Sequence, residues 1–272
     1  MTKIGFKLQV SFMKSIKRCL RLLIFVSLLP VLCLAKDLSQ RPLQKLIDYP
    51  SAGSPEHRSF DFELRAFPGG GVLTGFNIGL FDRLVVGFYY GGVGIIGYDK
   101  PEWNPAPGMS AQFRIVNETV VMPALAIGFN NQGQGGWDED NRRYYFKARG
   151  FYLVTGKNYV INHLGELGFH FGVSQNLIDR EDKRLDLWTA IDARVTSQLT
   201  LIVEYSAGIN DFGRDSSHGD GHGYMNGGIR WSFGERLALD LNFRDMLINR
   251  KDDLRKGNNV GREIRINYVE HF

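Results

Sequence analysis

The sequence predicts an all-β fold: a transmembrane, antiparallel, up-and-down β-barrel of about twelve strands that follows a cleaved signal peptide. Three observations carry this. From Arg58 onward, apolar and polar residues alternate with period two over segments that suit a tilted membrane-crossing strand, about nine to eleven residues. The connections between segments mostly alternate between long and short, as in barrels with tight turns at one rim and larger loops at the other. Beyond residue 35, no apolar run reaches the length of a membrane helix.

Residues 1–35 read as an export signal. Lys14, Lys17, Arg18 and Arg21 precede an apolar run from Leu22 to Leu34. Cys33-Leu34-Ala35 then places small residues at positions −3 and −1, so cleavage is expected after Ala35. Counted from Met13 rather than Met1, the signal has the usual length. Ser27 and Pro30 interrupt the run, which is short for a spanning helix, and Leu32 before Cys33 argues against lipidation. The whole chain carries 33 Lys and Arg against 29 Asp and Glu. The signal takes six of those bases and no acid, so the mature chain is slightly acidic and its charge is no sign of nucleic-acid binding. Both cysteines, Cys19 and Cys33, leave with it. The mature chain therefore has no disulfide, thiol nucleophile or thiolate metal site.

Residues 36–57 show no clean period. A short helix around Leu43–Ile47 is compatible with them, and Pro50 forces extended or turn backbone. The segment reads as a periplasmic lead-in or a partial plug, ahead of a barrel at 58–272. The first strand is expected at Ser59–Phe67, with Phe60, Phe62, Leu64 and Ala66 opposite Asp61, Glu63 and Arg65. Pro68-Gly69-Gly70-Gly71 turns the chain into Val72–Phe81, and Asp82-Arg83 into Leu84–Gly91. After the Gly/Pro-rich loop 92–108 come Met109–Val116, the turn 117–119 and Met122–Phe129. The polar loop 130–142 leads to a sixth strand, Arg143–Val154, and 155–165 is longer than a tight turn. The remaining strands are expected at Glu166–Ser174, Leu185–Val195, Gln198–Ser206, Gly223–Phe233 and Arg236–Met246, with a closing strand after the loop 247–260. Long loops follow odd strands and short turns follow even ones, except that the first outer connection is short and 155–165 is longer than a tight turn; the parity places both termini at the short-turn rim, the periplasmic side of an outer membrane. Phe81, Tyr152, Trp231, Phe233, Tyr268 and Phe272 are expected at headgroup level.

The last segment, Glu263-Ile264-Arg265-Ile266-Asn267-Tyr268-Val269-Glu270-His271-Phe272, resembles the C-terminal strand of bacterial outer-membrane barrels. That resemblance makes Ile264, Ile266, Tyr268 and the terminal aromatic Phe272 an assembly signal. Glu270 departs from the pattern, which usually has an aromatic or apolar residue there. Four further blocks resemble the YjbH-like outer-membrane barrels: Asp48-Tyr49-Pro50-Ser51-Ala52-Gly53; Ser59–Phe67 with its glycine triplet; Trp103-Asn104-Pro105-Ala106-Pro107-Gly108; and Met122-Pro123-Ala124-Leu125-Ala126-Ile127-Gly128-Phe129. The resemblance implies an outer-membrane barrel linked to surface or exopolysaccharide export. It assigns no catalytic residue.

If the apolar face meets lipid, the opposite face lines a lumen. Its titratable candidates are Asp61, Glu63, Arg65, Arg114, Lys147, Arg149, His170, Asp186, Asp192, Glu204, Arg230, Asp240, Arg244, Glu263 and Arg265, and the neutral Gln112 and Asn242 share that face. Acids and bases are nearly balanced, so the lumen is either a weakly selective aqueous channel or one closed by ion pairs. Twelve strands do not decide between these. A triad built on His170 and Ser174 fails on spacing, because i to i+4 along a strand is roughly 13 Å. His218, Asp220 and His222 carry donors suited to a divalent cation, in a glycine-rich loop that lacks a fourth ligand. Trp137-Asp138-Glu139-Asp140-Asn141 is an acidic loop that could attract Ca²⁺ or the cations bridging lipopolysaccharide. Both read by default as solvated loops. The expected function is a channel or export-associated barrel without covalent chemistry and without a cofactor. The alternatives are a barrel enzyme acting on lipid or lipopolysaccharide, and a closed structural barrel. The expected partners are outer-membrane lipid, lipopolysaccharide and the barrel-assembly machinery, with a polysaccharide or small solute as passenger and no nucleic acid.

Overall fold

A computed structural model describes residues 45–97, 100–161, 165–178, 183–211, 218–250 and 260–272. The signal peptide with its two candidate starts, and parts of the loops at 175–184, 207–222 and 247–260, lie outside the described residues.

The described residues form fifteen strands, in the order β1 (Ser59–Phe67), β2 (Gly71–Leu80), β3 (Leu84–Val93), β4 (Glu102–Trp103), β5 (Gly108–Val116), β6 (Ala124–Asn130), β7 (Gln134–Asp138), β8 (Arg143–Phe146), β9 (Gly150–Ile161), β10 (Gly165–Gln175), β11 (Asp186–Arg194), β12 (Leu199–Ser206), β13 (Tyr224–Phe233), β14 (Leu237–Arg244) and β15 (Gly261–His271). β7 and β8 form a separate two-stranded sheet, and the two-residue β4 is an appendage of β3. The other twelve strands follow one another antiparallel around a ring, which β1 closes by pairing with both β2 and β15. Closure leaves no barrel strand with an open edge, the condition a sheet must meet in hydrocarbon.

Each barrel strand alternates inward and outward side chains. Phe62, Phe76, Phe88, Phe113, Ile127, Phe151, Phe171, Ile191, Val203, Ile229, Leu241 and Ile266 stand exposed on the outside, while the charged residues between them are buried. A surface this apolar over a polar interior suits a lipid surround and not water. Leu241, near the middle of β14, is 45% exposed. Leu241→Arg is expected to destabilise the folded barrel by about 2–4 kcal/mol in bilayers, measured by denaturant unfolding. No loss would show that this face does not meet lipid.

Turns follow from local chemistry. Gly69 and Gly70 hold φ of 82° and 63°, where side chains with a Cβ are strained, and carry the chain from β1 to β2. Phe81 and Asp82 take the same region at the tight turn between β2 and β3. The described parts of the long loops and the β7–β8 hairpin follow strand ends at the rim opposite the start of β1 and the end of β15.

Four expectations need correction. The sixth barrel strand is Gly150–Ile161 and not Arg143–Val154. Arg143–Phe146 pairs instead with Gln134–Asp138 in a local hairpin, and Gly150 at φ 67° then redirects the chain into a new strand. That break resets the alternation. Phe151 and Leu153 consequently face outward, and Tyr152 faces the lumen, donating its hydroxyl to Gln112 Oε1 at 2.9 Å, so it does not belong to the aromatic belt. The connection read at 155–165 is largely strand for the same reason. Finally, Leu46 and Ile47 are not helical: Leu46 N–H donates to Tyr49 O at 3.0 Å, within a turn bridged from Lys45 to Pro50.

Candidate functional site

The lumen is occupied by the chain's own segment Lys45–Gly53. Leu46, Ile47, Tyr49 and Ala52 are buried there against Ala126, Val154, Trp188, Ala190 and Ile202 of the inner wall. The turn has no strand partner for most of its backbone, and buried N–H and C=O groups must be paired. Wall side chains do this. Glu204 of β12 accepts the N–H groups of Ile47 (3.1 Å), Asp48 (2.9 Å) and Tyr49 (3.4 Å). Arginines take the carbonyls: Arg265 donates to Leu46 O (2.5 Å) and Ile47 O (2.8 Å), Arg65 to Ile47 O (2.8 Å) and Arg230 to Lys45 O (3.1 Å). Gln112 donates to Ser51 O (3.1 Å) and Gly53 O (2.8 Å).

The same wall groups hold one another. Arg230, Asp240, Arg265 and Arg65 stand directly across from one another on β13, β14, β15 and β1. Asp240 accepts from Arg230 on one side (2.8 Å) and from Arg265 Nε on the other (2.7 Å). Arg65 and Arg265 face each other as like charges, which Glu63 (2.7 Å from Arg65) and the plug carbonyls make tolerable. Glu263 takes Arg244 at 3.3 Å and Asn242 at 3.1 Å. Lys45 of the plug reaches Glu63 at 2.8 Å.

Asp48 is the acid at the tip of the plug. It accepts from Arg244 (3.0 and 2.6 Å), Arg65 (3.1 Å) and Asn226 (3.1 Å). Burial alone would raise its pKa, but the charges of Arg244, Arg65 and Arg149 outweigh burial and hold it down at about 2. A carboxyl depressed from 3.8 lends stability that is complete above 3.8 and is lost as pH falls toward 2. The Asp48 contribution to the plugged state is therefore expected to be constant from neutral pH down to about pH 4 and to weaken below about pH 3, read as channel opening on acidification. Asp48→Asn should remove that acid limb; its persistence would assign the limb to another group.

The other candidates separate by depth. Arg149 lies over the Tyr49 ring, 3.7 Å from its centroid, and Lys147 Nζ donates to Asn210 O at 2.7 Å. Both precede β9 and point inward from irregular backbone. Asp186 accepts from Ser206 Oγ (2.6 Å) and Ile209 N (3.0 Å). Asp61 is half-buried and accepts from Asn77 (2.8 Å), while the half-buried Arg114 sits by the β2–β3 turn and donates to Asp82 O (2.8 Å). Between Asp48, Lys147, Arg149, Asp186 and Asp211 remains a cavity of about 20 Å³, room for roughly one water.

His170 Nε2 lies 2.6 Å from Asp192 Oδ1, a diagonal pair that Gly168 makes room for. His170 Nδ1 is buried with no hydrogen-bond partner among the described residues, so no serine completes a triad there. His218 is buried and paired with Asp138 (3.1 Å), whereas Asp220 and His222 are exposed, and the described residues hold no cluster fit for a metal ion. Asp138 itself is engaged by the N–H groups of Asp140 (2.9 Å) and Asn141 (3.1 Å) in its own hairpin turn. Ile264, Ile266, Tyr268 and Phe272 face outward, and the anomalous Glu270 is tied to Arg236 at 2.8 Å and to the Tyr268 hydroxyl at 2.7 Å.

Sequence reasoning missed Trp188, Asn226 and the pair Arg143–Asp211. Trp188 shares the parity of Asp186 and Asp192 and was legible on that ground. Arg143 of the β7–β8 hairpin meets Asp211, 68 residues on, at 2.9 Å, and no local pattern announces that contact.

Among solved structures, the KdgM porin aligns at 12% identity over 78% of this chain and 99% of that chain, with a TM-score of 0.49. The NanC porin aligns at 8% identity over 78% and 99%, with a TM-score of 0.43. The translocator domain of the autotransporter NalP from Neisseria meningitidis aligns at 10% identity over 79% and 86%, with a TM-score of 0.30. Likeness at this level adds nothing to the barrel read directly from its hydrogen-bond ladder. No family model and no curated protein matches the chain.

Proposed function

We propose that the protein is an outer-membrane channel-type barrel, with both termini in the periplasm, whose pathway is closed in this state by Lys45–Gly53 and opens when that segment leaves. The observation that carries the reading is the manner of the closure. A polar lumen inside an apolar wall grips a short internal segment through Glu204 and three arginines, by side-chain hydrogen bonds to its backbone and not by a continuous strand ladder. Such contacts exchange for water or solute more readily than a paired strand, because no ladder has to unzip.

The finer reading is an export-associated barrel of the YjbH-like kind, serving a surface polysaccharide. In its favour, one of the blocks that resemble that group, Asp48–Gly53, is the plug's own tip. The wall arginines then have a second role, as the surface along which an oxygen-rich chain passes once the plug is out. The test is planar-bilayer recording of the refolded mature chain, with heat-modifiable gel mobility to verify folding. The intact chain is expected to be closed most of the time, and chains with a weakened plug to show stable current steps. A folded chain that stays silent after the plug is weakened would overturn the channel reading.

A further inference from the structure

The ring closes where β1 meets β15, and that meeting brings like charges together. Arg65 and Arg265 are direct cross-strand partners, both fully buried on the luminal side. Like charges opposite one another weaken a strand pair, and more so away from water. Two groups of the plug span this seam. The Ile47 carbonyl accepts from Arg65 Nη2 at 2.8 Å and from Arg265 Nη1 at 2.8 Å, so one oxygen serves both of the opposed guanidiniums. The Asp48 carboxylate takes Arg65 on Oδ1 (3.1 Å) and Arg244 of β14 on Oδ2 (2.6 Å). Each group thus holds one donor from β1 and one from the strands at the other end of the sheet. The strands' own attraction across the seam, Arg65 to Glu263 at 3.6 Å, is looser than either plug contact.

A second observation is the order of these contacts along the chain. Part of the plug's anchorage is to near neighbours in sequence. Lys45 pairs with Glu63 at 2.8 Å, and Gln112 of β5 donates to Ser51 O and Gly53 O. The link from plug to β1 is fastened at the rim, where His57 N–H donates to Asp82 Oδ1 at 2.6 Å and Phe81 N–H donates to His57 Nδ1 at 3.1 Å. The grips from β12 to β15 lie 155 to 219 residues beyond the plug groups they hold. A segment already seated beside β1 offers those distant strands a ready surface. That lowers the entropic cost of bringing the two ends of a long sheet together.

We infer that Lys45–Gly53 has a further function, as an internal template for ring closure. It waits beside β1 and bridges the arginines that meet when β14 and β15 arrive. The inference does not rest on the channel reading. Once the ring is shut, the ladder from Ser59↔His271 to Ala66↔Ile264 holds the seam, and water entering an emptied lumen hydrates the arginines. The template is needed during closure and is dispensable afterwards.

The experiment is refolding of the full mature chain from urea into dilauroylphosphatidylcholine vesicles. Residues 36–272 contain no cysteine, so Leu64→Cys and Ile266→Cys, outward partners across the seam, give a disulfide reporter of closure under copper-phenanthroline oxidation. Heat-modifiable mobility reports folding. Asp48→Ala is expected to slow the cross-link at least about tenfold. Removing the like charge with Arg65→Gln should make closure nearly indifferent to the plug, so that Asp48→Ala then slows it less than about twofold. That rescue is a readout that mere loss of packing would not give. If Asp48→Ala fails to fold, restored folding in the Arg65→Gln background supports the template, and continued failure overturns it. Closure as fast in Asp48→Ala as in the parent overturns it too, as does equal slowing with and without Arg65.

Discussion

A mature chain carrying Glu204→Ala is expected to conduct where the parent chain is closed. Glu204 accepts three consecutive backbone N–H groups of the plug and the Asn226 amide. Alanine leaves those donors buried without an acceptor, and no other described wall acid accepts a plug N–H. Part of the loss is offset, because Glu204 and Asp48 are like charges that repel across the plug turn. The net cost to the plugged state is about 3 kcal/mol. That shifts the ratio of plugged to unplugged molecules roughly a hundredfold. In planar bilayers the expected readout is a rise in open time of that order, at unchanged heat-modifiable mobility. Ser174→Ala is the control, since Ser174 is buried in the same wall and makes no described bond to the plug. A folded Glu204→Ala chain as silent as the parent would mean that Lys45–Gly53 does not close the lumen.

The second large effect is on stability. Arg265→Met is expected to destabilise the barrel by about 3–5 kcal/mol, and Asp240→Leu by a similar amount. Arg265 is fully buried, shares the Asp240 carboxylate with Arg230, and donates to two plug carbonyls. Removing Asp240 strands two guanidinium charges in a buried site, and removing Arg265 leaves two buried plug carbonyls without their donor and Asp240 with Arg230 alone. Replacing Arg230, Asp240 and Arg265 together with apolar residues should cost much less than the single changes sum to, since no charge is then left unpaired. Denaturant unfolding in detergent reads all three, with Ile264→Ala on the outer face of β15 as a reference for a mild change. Single substitutions that cost under about 1 kcal/mol would show that the belt is hydrated and that its ion pairs are worth no more than those on a surface.

Alternation alone assigned the faces of nearly every barrel strand, because side chains along a strand must point to opposite sides and only one face can meet lipid. Ser59–Phe67 was readable to the residue, as were the inward Glu63 and Arg65 and the outward Ile264 and Ile266. The twelve barrel strands, their antiparallel order and their closure through the last strand follow from the same local pattern, added up along the chain. The pattern failed where the chain left it. Gly150, at positive φ, resets the parity, so the sequence placed Tyr152 on the wrong face and began the sixth strand seven residues early.

What only the tertiary structure decided is which inward charge meets which. Asp48 lies 196 residues from Arg244, and Leu46 lies 219 from the guanidinium of Arg265 that binds its carbonyl. Such contacts depend on the register with which the ring closes, and a two-residue period carries no information about register between distant strands. The plug was harder still to read. Its backbone is satisfied by side chains from the surrounding wall and not by a ladder of its own, so Lys45–Gly53 needs no period and shows none. Local alternation determines where a side chain points; the closed ring determines what it finds there.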